Sequence, residues 1–579
     1  MTALLAIIGG AIYIIGYMVY GKGLEREVVK ADPNRPTPAV RLRDNVDYMP
    51  ANKFVLYGHH FASIAGAGPI VGPALAMVWG WLPSILWIWL GNLFIGSVHD
   101  YLALMASVRY DGKSVQWISG KLMSPRTKYA FELFVYFALL LVIAAFMNVF
   151  GGLASSNPQI ATASILFIIV AIIEGLIMYR TKMNFTAASI IGVILLILAI
   201  VIGFKYPFIV IQSKKAWFVI QFFYIIIAAS LPVWVLLQPR DYLNAYILWF
   251  GLIIGGLSAL VAFKGFTWPA VTVFSPNLIS GQPSPFWPTV PLIIACGALS
   301  GFHSIVASGT SSKQLDNELS GLLVGYGGMF TEGFLSTIVV LSIAAFGMSV
   351  LKEAGADMSK LATPALIGKY GSGQIGATVG KVGIFTHSYG KLVSAIGIPY
   401  KIGVTFAGLW VSAFVLTTLD TSNRLARFAW AEIWEPLKKT SEGFYNFIAN
   451  KWVGSIIAAG LGLLLVWGGT LGSLWPGFSG ANQLLASIAM ITAAVWVRNV
   501  QKAKKAWQYA VLIPAVFLWI TVTVALIWYL FVAVPAIKAA TTRYPVAVFV
   551  VIMIILNFVL VGDFLGAFKR GPKPETEVK

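Results

Sequence analysis

Apolar stretches recur along this chain, each roughly 18 to 25 residues long and separated by short polar segments. Stretches of that length cross a hydrocarbon core as helices, so the pattern predicts an all-α, polytopic membrane protein of about fifteen transmembrane helices. The spans run about Ala3 to Tyr20, Phe54 to Val78, Ser84 to Val108, Tyr129 to Phe150 and Ile160 to Met178. They continue at about Ala187 to Phe204, Ala216 to Leu237, Tyr242 to Phe263, Leu292 to Thr310 and Leu322 to Val350. The last five lie near Val404 to Thr421, Val453 to Leu471, Asn482 to Val497, Tyr509 to Val532 and Val546 to Leu565. The first run has no basic residue before it and no convincing cleavage site, so it reads as a helix rather than a secretory signal. Leu351 to Ile398 departs from the pattern: it is amphipathic and Gly-rich, holds His387, and is expected to form an outer loop with short helices.

One predicted span cannot be a regular helix. Between Gly58 and Pro73 it carries Gly66, Gly68 and Gly72, which are poor helix formers, and Pro69 and Pro73, which remove backbone donors. The adjacent histidines His59 and His60 stand at its start. In lipid, freed backbone groups and polar side chains are tolerated only against protein or a water-filled cavity. A broken helix with polar residues is the usual form of a transporter binding site, the alternative being a Pro-kinked structural helix.

Composition agrees: 58% of residues are hydrophobic and 11% charged, against about 25% charged in soluble domains. Lys and Arg number 41 and Asp and Glu 22. The basic residues fall in clusters between apolar runs, the positive-inside pattern, and do not suggest nucleic acid. Clusters at Lys22–Arg43, Arg109–Lys128, Arg180–Lys182, Arg424–Lys439, Arg498–Lys505 and the tail from Lys569 to Lys579 mark the cytoplasmic side. The N-terminus is then expected outside and the C-terminus inside. The single cysteine, Cys296, excludes an intrachain disulfide.

A short phrase repeats. Phe61-Ala62-Ser63-Ile64-Ala65-Gly66-Ala67-Gly68 aligns without gaps to Phe302-His303-Ser304-Ile305-Val306-Ala307-Ser308-Gly309. The charge pattern sends the first helix outward and the second inward. Similar broken helices in opposite orientation are the signature of an inverted-repeat secondary transporter with its site at the midplane.

Candidate chemistry follows from polar groups within predicted spans. His59, His60 and His303 suit proton-coupled steps or a carboxylate; the alternative is a neutral imidazole satisfied by a backbone carbonyl. Ser63, Ser304, Ser308 and the amides near Gly66 and Gly68 are candidates to hold a carboxylate at helix N-termini. His99 and Asp100 suit either coupling or a structural ion pair near the inner surface. Glu332 is a further proton-carrier candidate. Thr417, Thr418 and Thr421, with carbonyls freed near Ala65 and Gly66, could form a small cation site. Asp420 could carry a proton or a counter-charge, or pair with Arg424 while the threonines bond back to their helix. Arg240 and Asp241 end a helix as a latch or gate, and Asn482 and Gln483 support the core. Metal is not expected: no HExxH or Cys/His spacing is present, and neighbouring histidines on a helix point roughly 100° apart. No cofactor and no enzymatic activity are expected. A sensor would need an appended signalling domain, and neither polar segment is long enough to be one.

The runs GHHFASIAGAGPIVGP, WGWLPSILWIWLG, VHDY, LPVWVLLQPRDYLN, SGFHSIVASGTSSKQ, LDTSNRLAR and WPGFSGANQLLA resemble the carbon starvation protein A family over about residues 50 to 500. That resemblance implies a bacterial or archaeal inner-membrane transporter of pyruvate, taken up with protons, or of peptides. It also implies a LeuT-type fold related to the amino acid–polyamine–organocation transporters. There the first and sixth core helices are broken, and an ion lies between the first and eighth. The corresponding segments here are Gly58–Pro73, Gly301–Thr310 and Thr417–Thr421. About seven spans run from the first broken helix up to the second, where the family pattern has about five, so two helices are inserted or the core pairs differently. The chain divides into 1–53, an extra helix and cytoplasmic connector; 54–290, the first repeat with its break at 58–73 and extra helices; 291–451, the second repeat with its break at 301–310 and the ion-site helix 404–424; and 452–579, the C-terminal helices and tail. The expected function is proton symport of a small carboxylate, most simply pyruvate. Peptide uptake, sodium coupling and, in a different class, a membrane-embedded metalloenzyme are the alternatives. The lipid bilayer, the substrate and a coupling cation (proton or sodium) are the expected partners.

Overall fold

The computed structural model describes residues 1–44, 48–232, 235–469 and 471–570. The tail beyond Arg570, expected in the cytoplasm, lies outside the described residues, as do 45–47 of the connector and 233–234 of the Ala216–Leu237 span. Described residues are predominantly helical, with only isolated bridges between extended segments.

Each expected span coincides with a helix. They are α1 (Thr2–Val29), α2 and α3 (Lys53–Ile64 and Gly68–Trp79), α4 (Trp81–Arg109), α5 (Pro125–Ser156), α6 (Pro158–Arg180), α7 (Phe185–Lys205), α8 (Lys214–Ser230) and α9 (Leu237–Ala262). Then come α10 (Phe286–Ile293), α11 (Gly301–Gly309), α12 (Leu322–Glu353), α13 (Gly383–Val393), α14 (Tyr400–Ile433), α15 (Lys451–Trp467), α16 (Leu471–Asn499), α17 (Lys505–Ala533) and α18 (Ala540–Arg570). Among the described residues, 11 helices are long and apolar enough to cross a membrane, or up to 13 with two bent pairs. The other two expected spans are the 17-residue α8 and the interrupted pair α10/α11.

Local sequence sets the boundaries. Asn157 stops α5 and accepts from the Gln159 and Ile160 amides, with Pro158 at the first position of α6. Asn52 caps α2 through the Phe54 amide. Between α2 and α3 the chain bends by 48° across Ala65–Ala67, where Pro69 has no donor to continue the ladder. The second interruption is longer, from Ile294 to Ser300.

The two broken helices lie side by side and antiparallel. The first half of one, α2, packs on the second half of the other, α11, while α3 packs on α10. This is the opposed arrangement that the repeated phrase predicts. α5 and α14 form the most extensive helix pair beside them, and α12 and α16 close the interior on α3 and α11. Outer helices are apolar toward lipid: Ile190, Ile194, Ile197 and Leu198 of α7 and Val548, Ile555 and Phe558 of α18 are exposed. Short helices form within Leu351–Ile398, as expected. His387 sits on one of them, α13, which buries Ile384, Phe385, Tyr389 and Leu392, and its Nδ1 lies 2.6 Å from the Tyr400 hydroxyl.

Candidate functional site

A broken helix in a membrane must find partners for the groups its break frees. Side chains of two neighbouring helices, α4 and α16, supply them at the second break. Gln483 of α16 donates to the Ile294 carbonyl at 3.0 Å and also to that of Pro291. Trp87 and Trp475 donate to the carbonyls of Ile294 and Ile293. Asn92 of α4 bridges the carbonyls of Gly297 and Met329, each at 2.8 Å. Asn482 accepts from the Phe302 amide at 2.8 Å and so caps α11. Asn482 and Gln483, expected as core supports, thus stabilise the two ends of one break. The first break is held from α12, where Ser336 donates to the Pro69 carbonyl at 2.7 Å. The two breaks touch: a Cβ on Gly68 would stand 2.3 Å from Cys296 Sγ, so only glycine fits there.

Below this contact lies an enclosed chain of ionisable groups. Asp100 of α4 takes His99 Nδ1 on one carboxylate oxygen at 2.7 Å and His303 Nδ1 of α11 on the other at 2.8 Å. The second His303 nitrogen, Nε2, is 3.3 Å from Glu332 of α12. All four side chains are buried, and His99 and Asp100 are paired directly. Neither Glu332 oxygen has a hydrogen-bond partner. His60 approaches from α2, its Nδ1 2.8 Å from Ser311 Oγ. His59 is half-buried, and its Nε2 has no partner. Charge added to or removed from such a chain acts across a weakly screened interior, which suits proton transfer linked to conformation.

A second buried group fastens α9 to α14. The Arg240 guanidinium pairs with Asp420, with Asp241 at 3.0 Å and with the Tyr224 hydroxyl at 3.0 Å. Tyr224 also donates to Asp420 at 3.0 Å. Asp420 therefore pairs with Arg240, not with Arg424 on its own helix; Arg424 turns instead to the carbonyls of Ala228 and Leu231. Thr417 bonds back to the Ala413 carbonyl and receives Asn244 at 3.1 Å. Thr418 faces the first break: a Cβ on Gly66 would stand 2.8 Å from its hydroxyl. Thr421 is half-buried farther along α14.

The serines divide. Ser63 is half-buried at the end of α2. Ser304 donates to the Gly301 carbonyl at 2.7 Å, and Ser308 to the Ser304 carbonyl at 2.6 Å while accepting from the Val115 amide. Inside a helix a serine satisfies itself on the preceding turn. Those two hydroxyls are therefore engaged, and with Asn482 on the Phe302 amide the N-terminus without a side-chain cap is that of α3.

A cavity of about 830 Å³ opens at the C-terminal ends of α5 and α12, lined by Asn148, Lys214, Glu353, Lys381, His387 and Tyr400 among others. Lys214 donates to Asn148 at 2.8 Å. Burial lowers both the Lys381 ammonium and the His387 imidazole from their ordinary values. Between the cavity and the first break stands an aromatic cluster. Phe146 stacks on Trp475 with centroids 6.4 Å apart, Phe478 meets it edge-on at 5.3 Å, and a Cβ on Gly66 would stand 3.2 Å from Phe146.

Sequence reasoning singled out neither Asn92, Asn244 nor Tyr224. Asn92 carried a usable signal, an amide in the middle of an apolar run.

Residues 1–525 match the family described as Carbon starvation protein CstA. The chain belongs to this family. Among its CstA-family relatives, the peptide transporter CstA of Bacillus subtilis is 32% identical, with 95% of this chain and 94% of that one covered. The peptide transporter CstA of Escherichia coli is 31% identical, over 88% of this chain and 78% of the relative. The pyruvate/proton symporter BtsT of Escherichia coli is 31% identical, over 89% and 80%. Among solved structures, the manganese transporter of Eremococcus coleocola is similar at 11% identity and a TM-score of 0.44, over 91% of this chain and 98% of that one.

Proposed function

We propose that this chain carries a small carboxylate, most simply pyruvate, into the cell together with protons. It is a multi-pass membrane transporter of the CstA family. The observation that carries the proton reading is the enclosed chain His99–Asp100–His303–Glu332, which links α4, α11 and α12 at the second break. The buried, uncapped N-terminus of α3, at Gly68, offers a positive helix end to a carboxylate. Lys214 and Lys381 in the neighbouring cavity attract anions toward it. A relative named as a pyruvate/proton symporter fits this chemistry. The positive-inside pattern supports an outer N-terminus and a cytoplasmic C-terminus in a prokaryotic inner membrane.

Peptide uptake is the second reading. Relatives are named as peptide transporters, and the 830 Å³ cavity also holds Glu353, a partner for a peptide amine. Sodium is the alternative coupling ion, through Thr418 and the carbonyls beside Gly66. The test is uptake of labelled pyruvate into proteoliposomes under an inward proton gradient, with a dipeptide in excess. Saturable accumulation that the dipeptide does not compete is expected. Dipeptide uptake without pyruvate uptake would replace the substrate reading.

A further inference from the structure

We propose that Cys296, His303 and Glu332 form a binding site for a transition-metal ion of the zinc class at the second helix break. One ligand atom from each, a thiol sulfur, an imidazole nitrogen and a carboxylate oxygen, lies within 4.8 Å of the others, and all three residues are buried. They come from the break, from α11 and from α12, so no sequence spacing reveals them.

Three features mark the cluster as built. First, His303 gives its Nδ1 to Asp100 at 2.8 Å, which turns Nε2 toward Glu332 at 3.3 Å. A carboxylate on the far nitrogen is the usual device for orienting a metal-bound histidine. Asp100 is fixed in turn by His99 at 2.7 Å. Second, His303 Nε2 and the Glu332 carboxylate meet in a loose contact at 3.3 Å, with no well-aligned hydrogen bond on either. Buried polar atoms left so are costly unless something pairs them. Third, the donors are sulfur, nitrogen and oxygen. That mixture suits zinc, cobalt, nickel or copper, whereas calcium and magnesium take oxygen alone.

The fit requires little movement. Metal bonds of roughly 2.0 to 2.3 Å set tetrahedral ligand atoms about 3.5 Å apart. The histidine and glutamate already stand that close, at 3.3 Å, with the Cys296 sulfur within 4.8 Å of both. A thiolate and a carboxylate together offset the two charges of a divalent ion. Three protein ligands leave a fourth position open to water or to a substrate carboxylate.

Binding stands independently of the transport reading; its consequence rests on it. A bound ion occupies His303 and Glu332 and removes both from proton transfer, so zinc is expected to inhibit uptake. The experiment uses the full chain, purified in detergent and stripped with chelator. Cobalt is titrated in, and zinc is then used to displace it. We expect one ion per chain with a thiolate-to-cobalt charge-transfer band. Cys296→Ser should abolish that band. Glu332→Gln should keep the band and weaken zinc at least about tenfold. Absence of the band in the unaltered chain, or zinc affinity in both variants equal to that of the unaltered chain, overturns the proposal. Zinc that binds as described but leaves proton-driven uptake intact upholds the site and contradicts the proton path through His303 and Glu332.

Discussion

Asp100→Asn is expected to lower proton-driven uptake by at least about 100-fold while leaving substrate exchange across the membrane measurable. The carboxylate holds His99 at 2.7 Å and His303 at 2.8 Å, one on each oxygen. An amide has the same size and keeps one acceptor, so the helices should stay in register. It cannot take up or release charge. If protons cross through this chain, net accumulation needs Asp100 and exchange needs it far less. The measurement is accumulation and counterflow of labelled substrate in the same proteoliposomes. Accumulation at the unaltered rate removes Asp100 from the proton path. Equal loss of both activities makes it a structural residue.

The second large effect is on stability. Asp420→Ala should destabilise the fold by about 3–5 kcal/mol, because it leaves the buried Arg240 guanidinium without its main counter-charge. Replacing both partners by apolar residues, Arg240→Met with Asp420→Leu, should recover most of that loss. Buried pairs exchanged together for packed apolar side chains are often neutral. Equilibrium unfolding in mixed detergent reads the single and double variants as a cycle. A single variant as stable as the parent would mean that Tyr224 and Asp241 satisfy Arg240 without Asp420.

The sequence made the first break plain, because Gly66, Gly68, Pro69 and Pro73 state it in local terms. It made the second visible only through the phrase around Phe302–Gly309, since most of what holds that break is distant. Gln483, Trp475 and Asn92 reach it from other helices. Asp420 shows the same limit. Arg424 is the partner that helix spacing suggests, yet Arg240 reaches the carboxylate from α9. The serines of α11 show the converse. Their polarity suggested a ligand role, and the helix itself takes up two of the hydroxyls. Cys296 could be read only for its lack of a disulfide partner, because the neighbours that give it chemistry lie on α11 and α12. The short helix at His387 is legible, because Ile384, Phe385, Tyr389 and Leu392 around it have the spacing of a buried helical face.

The central claim is that substrate and protons move together through the buried His–carboxylate chain. Its most direct test is the pH inside proteoliposomes loaded with a fluorescent pH indicator, followed after pyruvate is added outside in sodium-free buffer. The account predicts that the interior acidifies with the unaltered protein and not with Asp100→Asn. Pyruvate entry without acidification, or entry only when sodium is supplied, would contradict it and move the coupling site to Thr418 beside the first break.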